Sequence, residues 1–353
     1  MNFPIQDRIK AFSELGDLLN AYLLAENPIS PINKRIEKIV LKAHQANEWF
    51  TPLFIRHALT EIAKQLTSDN LQLWLSKYNI PINENTNPKN IAIISAGNIP
   101  LVVFHDFLSV LISGNNAIVK LSSKDNLLLP MIADLLVEID KRFSSTFDFS
   151  EDKLSDFDAL IATGNNLAAL LFDYKFKEKK RIIRKNRSSL AILKGNEAAE
   201  ELNQLSHDMF LYFGLGCRNI SKIFVPHHYD FSKMINSLKQ YEFINEHKKY
   251  NSNYLFQKNI LKMHQIQIID TGFSIFRNHR DLHSPLGIIH FEYYTSTEEI
   301  KEYIRQNNEN IQCIISNFNS LGNTQIGESQ SPKLWDYADG IDTIEFILNK
   351  IEI

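Results

Sequence analysis

The sequence predicts an α/β protein: two open parallel α/β domains preceded by a helical lead-in. Three observations carry this expectation. A chain of 353 residues exceeds what one compact core usually holds. From about Asn90, short β-rich runs alternate with stretches of helical period, the pattern of parallel strands joined by crossover helices. The alternation then resumes with a second set of strands beyond Ala198.

The elements follow in order. From Ile5 to about Tyr78 apolar residues recur at helical spacing, as in IQDRIKAFSELGDLLNAYL, and Pro81 with the polar run NENTNPKN ends this lead-in. NIAII is a first strand, closed by SAGNIP, and LVVFHDFLSVLISG returns to helical spacing. NAIVK is a second strand, NLLLPMIADLLVEIDKRF a helix, FDALIATG a third strand and NLAALLF the start of the next helix. SSLAILKG continues the same sheet near Leu190. Strands recur at SKIFVP, IQIID, LGIIHFEYY and QCIIS, with helical stretches between them. The expected divisions are a helical segment 1–85, a first α/β domain 86–197, a second α/β domain 198–325, and a segment 326–353 returning to the first of these domains or to an oligomer interface.

Composition is that of an ordinary globular protein: 44% hydrophobic, 22% charged, net charge −3. That balance offers no electrostatic footprint for nucleic acid. Two cysteines, neither in a CxxC pair, build no disulfide framework and favour no metal centre. No apolar run approaches the ~20 residues of a membrane span, and the amino terminus lacks a signal-peptide core, so a cytoplasmic location is expected.

Chemistry concentrates at strand ends. SAGNIP closes a strand where open α/β sheets hold ligands. Gly97 permits close backbone approach, Asn98 carries an amide donor, and Pro100 suits the first turn of a helix. By itself this is more readily a shaped turn than a site, and it is not the GxGxxG fingerprint. Lys120 ends the second strand, where a cation reaches a ribose or phosphate. Thr163 and Gly164 form a third small strand-end turn. Cys217, in FGLGCRN, can be a small buried side chain, a metal ligand or a nucleophile.

Read together, SAGNIPLVVFHDFLSVLISGNNAIVKLSSKD and FGLGCRN resemble the acyl-CoA reductase family, a divergent branch of the aldehyde dehydrogenase superfamily. The resemblance runs from about Asn90 through GESQSPKLWDYADGIDTIEF. It implies an aldehyde dehydrogenase-like fold with Cys217 as the acyl-accepting nucleophile and Asn98 as the oxyanion donor. Lys120 and Ser122 would contact the cofactor, and Thr163 and Gly164 the nicotinamide side. The family's reaction is reduction of an acyl-CoA thioester to an aldehyde by NADPH. With Ser122, Ser123 and Lys124 ahead of Asp125, NADPH is favoured and NADH is the alternative. No metal is implied, and a homo-oligomer is expected from the resemblance alone. Two departures stand out. HSPLG, His283 to Gly287, lacks the carboxylate and phenylalanine of the superfamily's ribose loop. The position of the hydrolytic glutamate falls near Arg184, and no acid lies between Arg181 and Leu190. Loss of that base argues against acid production and for thiol exchange with coenzyme A. His207 or Glu197 would be the substitutes. The alternatives are an acyl-phosphate reductase of the same superfamily and a catalytically silent scaffold.

The remaining singled-out residues have plainer expectations. Arg218 can lower the pKa of Cys217 if it points at the sulfur. Cys313 is expected as a buried small hydrophobe and His227-His228 as a loop. The basic run Lys175 to Lys185 is expected on a solvated helix face, with phosphate contact as the alternative. GESQSPKLWDYADG is expected to join domains or subunits.

Overall fold

The structure, a computed structural model, describes residues 3–26, 30–80, 85, 87–150, 154, 156–318 and 320–349. The elements run α1 (Ile5–Leu24), α2 (Pro31–Ala46), α3 (Pro52–Gln65), α4 (Ser68–Leu75), β1 (Asn90–Ile94), α5 (Phe104–Ile112), β2 (Asn116–Lys120), α6 (Leu128–Ile139), β3 (Phe147–Phe149), β4 (Ala159–Thr163), α7 (Asn166–Lys175) and β5 (Lys180–Arg184). They continue with β6 (Ser188–Ile192), α8 (Ala199–Phe210), β7 (Ile220–Pro226), α9 (Phe231–Leu238), α10 (Lys248–Met263), β8 (Ile269–Asp270), β9 (Ile275–Asn278), β10 (Ile288–Tyr294), α11 (Thr297–Asn307), β11 (Ile311–Ser316) and α12 (Thr343–Asn349).

The chain divides into two compact units, one of residues 1–185 and 333–353, the other of residues 186–332. In the first, a parallel five-stranded sheet has the order β3-β2-β1-β4-β5. Its strands bury small and branched side chains such as Ala92, Ala159, Leu160 and Ala162, so helices can pack closely against them. The helical lead-in becomes four helices. Three of them start on a Ser or Thr cap, Ser30, Thr51 and Thr67, whose hydroxyl accepts an N–H of the first turn. Pro81, read as ending this lead-in, lies outside the described residues together with part of the polar run behind it.

In the second unit a six-stranded sheet has the order β11-β6-β7-β10-β9-β8, parallel except for the short β8–β9 pair. Around its strands Leu190, Ile192, Phe224, Ile300 and Ile311 form one buried cluster.

Four local expectations are corrected. SSLAI does not extend the first sheet: β6 pairs with β7 and β11, which moves the boundary from 197 back to 185. The basic run is not a helix face. α7 ends at Lys175, and Lys180–Arg184 forms edge strand β5, where Ile182 and Arg184 are buried. Pro100 does not open a helix: Leu101 is left-handed at φ 57° and α5 begins only at Phe104. Finally β3 and β9, both short, went unread, and IQIID yields only a two-residue strand.

Candidate active site

In the first unit the strand order reverses between β1 and β4, so the carboxyl ends of these strands flank the topological switch point. The turn carrying Asn98 leaves β1, Thr163 is the last residue of β4, and Lys120 ends the neighbouring β2. The sheet therefore gathers the turns picked from sequence at one edge. Two hydrogen bonds hold the Asn98 turn against the loop after β2. Ser95 N–H donates to Lys120 O at 3.0 Å, and Leu101 N–H donates to Asp125 Oδ2 at 2.9 Å. Asp125 also accepts the Leu128 N–H, and burial pushes its pKa up to about 6. A side chain on Gly97 would collide with Ser122 Oγ and approach Ser122 Cβ to 2.8 Å. Ser122 Oγ itself accepts the Lys124 N–H at 3.3 Å, so the two turns are packed as one layer.

Gly164 matters for a similar reason, since a Cβ there would meet Ala168 Cβ at 2.8 Å. That clearance lets α7 start directly behind β4, capped by Asn165 Oδ1 accepting the Ala168 N–H at 2.9 Å. A helix N-terminus at a switch point offers its first N–H groups to an anion. With the cation of Lys120 two strands away, the donor set fits a dinucleotide phosphate. Asp125, the acid nearest the end of β2, is 4% exposed and engaged with backbone N–H groups. It is not available to a ribose hydroxyl. Arg184, at the position expected of the hydrolytic glutamate, is buried and ion-paired with Asp106, and donates to Thr343 Oγ1 at 3.0 Å.

In the second unit Cys217 is exposed, in the short connection between α8 and β7. Its backbone is held from both sides. Asn219 Oδ1 accepts the Gly216 N–H at 2.8 Å, while Asn219 Nδ2 donates to the carbonyls of Asp208, Met209 and Leu211. Ser189 Oγ donates to Cys217 O at 2.9 Å. Just upstream, Tyr212 and Phe213 are left-handed at φ 53° and 59°, which side chains of this size rarely adopt. Such strain, of order 1–3 kcal/mol per residue, persists only where packing over-determines it. Phe213 is 2% exposed, with its ring 4.6 Å from that of His247.

Arg218 Nη1 donates to Cys313 Sγ at 3.3 Å. Cys313 is buried on β11, as read, but its sulfur is a hydrogen-bond acceptor rather than mere filling. His207 donates to or accepts from Tyr241 OH at 2.7 Å, and burial lowers its pKa. Glu197 accepts the Lys194 and Gly195 N–H groups, so it holds a turn. His228 is left-handed in a turn, and His227 stacks on Tyr293 at 5.5 Å. Among the described residues no group of three or more His, Cys, Asp or Glu is arranged to hold a metal. No described helix is long and apolar enough to cross a membrane.

Sequence reasoning missed Ser189, Asn219 and Asp208. Asp208 is fully buried and accepts from Gly327 N–H, Ser329 N–H and Ser329 Oγ, which fastens α8 to the GESQSP segment. The signal for Asn219 was present in GCRN, a polar residue opening a strand.

Against this geometry the comparisons are specific. The family model described as acyl-CoA reductase (LuxC) matches residues 33–266. No curated protein matches the chain. Among solved structures, an aldehyde dehydrogenase of Physcomitrella patens in complex with succinate superposes at TM-score 0.61 and 12% identity, covering 98% of this chain and 88% of that one. The NAD+ complex of an aldehyde dehydrogenase from Bacillus cereus gives 0.57 at 16% identity, over 88% and 76%. Aldehyde dehydrogenase C of Pseudomonas syringae, complexed with NAD+ and octanal, gives 0.61 at 11% identity, over 89% and 72%. At these identities the likeness establishes the aldehyde dehydrogenase fold.

Proposed function

Because this chain belongs to the acyl-CoA reductase (LuxC) family, we propose that it reduces an acyl-CoA thioester to the aldehyde, with NADPH, through an acyl-cysteine on Cys217. The observation that carries the reading is the exposed Cys217 thiol on a strained, doubly tethered backbone.

The Cys217 thiolate attacks the thioester carbonyl, since the thiolate and not the thiol is the nucleophile. The tetrahedral adduct puts negative charge on the carbonyl oxygen, which backbone and amide donors stabilise by roughly 3 kcal/mol each in sites of this logic. We assign the Cys217 N–H and the Asn98 amide to this task. Collapse of the adduct expels coenzyme A as its thiolate and leaves the acyl group on Cys217. The absence of an acid at Arg184 preserves that thioester from activated water. Lys120, Ser122 and the turn at Thr163 and Gly164 are assigned to hold the nucleotide, as the donor set at the switch point supports. A reduced nicotinamide held there would supply the hydride that takes the acyl group to the aldehyde level, and cleavage of the C–S bond then frees the aldehyde and returns the Cys217 thiolate. The burial of Asp125, with Oδ2 accepting the Leu101 N–H, favours NADPH over NADH, because this carboxylate is withdrawn from a 2′-phosphate or a 2′-hydroxyl. Two of the structural relatives hold NAD+, which supports a nicotinamide cofactor. The unit carrying β1–β5 is thus proposed as the nucleotide-binding domain and the unit carrying Cys217 as the catalytic one.

The test is acyl-CoA-dependent oxidation of NADPH by the wild-type chain and by Cys217→Ser. Activity in the wild type with a loss of at least about a thousandfold in the variant is expected. Equal activity in the two would refute the covalent mechanism.

A further inference from the structure

Ser189 is fully buried on β6, yet its side chain reaches beyond its own strand. Its register against β7 shifts between Ser189 and Leu190, and the register of β11 against β6 shifts between Ile311 and Ile314. Ser189 therefore sits where both flanking ladders are irregular. Bulges of this sort recur beside active sites, where they re-aim a side chain. Here the break leaves the Cys313 N–H to Ser189 Oγ, which accepts it at 3.1 Å. A hydroxyl has a single proton, and that proton goes to Cys217 O at 2.9 Å. The next residue adds a second link to the same strand, Arg218 Nη1 to Cys313 Sγ at 3.3 Å.

We propose that Ser189 is the positioning residue of the nucleophile: its hydroxyl locks the peptide after Cys217 to the β6–β11 sheet and so fixes how the exposed thiol is presented. The proposal rests on the reading of Cys217 as the nucleophile for its catalytic consequence, but not for the lock itself. An exposed thiol on a free loop would sample many orientations, whereas attack on a carbonyl requires one. Asn219 holds the turn on the Gly216 side, and the strand hydroxyl holds it on the other, at the Cys217 carbonyl.

Ser189→Ala and Ser189→Thr test this in the full chain. In Ser189→Ala the amides of residues 216–219 should exchange hydrogen at least tenfold faster. Turnover should fall ten- to a hundredfold with KM for acyl-CoA unchanged, while alkylation of Cys217 by iodoacetamide stays within twofold of wild type. Ser189→Thr, which keeps the hydroxyl on a residue suited to strands, should restore turnover to within about threefold. Unchanged exchange in Ser189→Ala would overturn the lock. So would a twofold or smaller change in turnover, an equal defect in Ser189→Thr, or alkylation that falls in step with turnover. If Ser189→Ala does not fold, Ser189→Cys takes its place with the same outcomes. A wild type that does not turn over acyl-CoA defeats the proposed function, and the exchange measurement still decides the lock.

Discussion

Gly97 owes its identity to a neighbour in space rather than to a backbone angle. Ser122 from the loop after β2 and Lys124 beside it occupy the volume a Cβ would need, with Lys124 Cβ only 2.9 Å away. Gly97→Ala should therefore push the two strand-end loops apart, at a cost of about 1–3 kcal/mol typical of overpacking. In a Ser122→Gly background at least half of that penalty should disappear, since the two residues share the clash. Urea unfolding of the two single variants and the double variant reads the coupling, and additive penalties would show that the contact is not the reason for the glycine. The sequence made Gly97 conspicuous as a place of close approach, and what approaches it within the chain is Ser122 with Lys124. The same division applies at Cys217. GCRN picked out the thiol because glycines flank a polar cluster. What fixes its backbone is Ser189, 28 residues earlier in an unremarkable apolar strand. A partner that meets its target only through sheet pairing leaves no local pattern.

Strands buried along most of their length were legible, because a short apolar run bounded by turns and rich in branched residues seldom folds as anything else. Failures gathered where burial is one-sided or brief. β5 carries Lys180, Arg181 and Arg184 with two isoleucines, which reads as a charged face until one sees that it is the sheet edge. Charged residues on an edge strand protect it from pairing with another chain, so the misleading charge is part of what an edge requires. β7 illustrates the reverse case, a lysine hidden in an apolar strand. Lys222 is fully buried, with Nζ 2.8 Å from Glu292 Oε2 on β10 and 2.9 and 3.1 Å from the carbonyls of His279 and Arg280. Those carbonyls begin the stretch that leads to HSPLG, and His290, Lys222's partner in register, donates its Nδ1–H to Asp281 O at 2.9 Å. The lysine thus ties the loop to the sheet through all three of its protons. Lys222→Met removes the donors and leaves the acceptors buried, so a loss of about 2–4 kcal/mol in unfolding free energy is expected. Hydrogen exchange should rise first in residues 279–282. A variant as stable as wild type, with that stretch equally protected, would show that the buried charge is dispensable.

At the scale of the whole chain the two-unit α/β architecture was legible from alternation alone, and the family from the ordered strand-end motifs. The boundary was not, since β6 has the same apolar run whichever sheet receives it. Each unit also holds a buried carboxyl that no pattern announces, Asp125 in the first and Asp208 in the second. Burial pushes both up to about 6 from an ordinary value of 3.8. Between about pH 4 and 6 the native chain keeps protons on them that the unfolded chain has released, so their contribution to stability falls as pH rises through that window and is level above it. A shift of this size corresponds to roughly 3 kcal/mol per group, as an order of magnitude. His290 works with the opposite sign. Burial lowers its imidazole to about 4 from 6.5, so the unfolded chain binds the extra proton and stability rises with pH across nearly the same range. The exposed ion pairs contribute little individually and act equally in all variants. Differences between variants therefore isolate the buried groups. The stability gap between wild type and Asp208→Asn should narrow or invert in favour of the variant as pH goes from about 4 to about 6.5. The gap between wild type and His290→Gln should move the other way, in favour of wild type. Thermal melts at half-unit pH steps measure both, and gaps that stay constant with pH, or that move in the same direction, would refute the assignment of these protons.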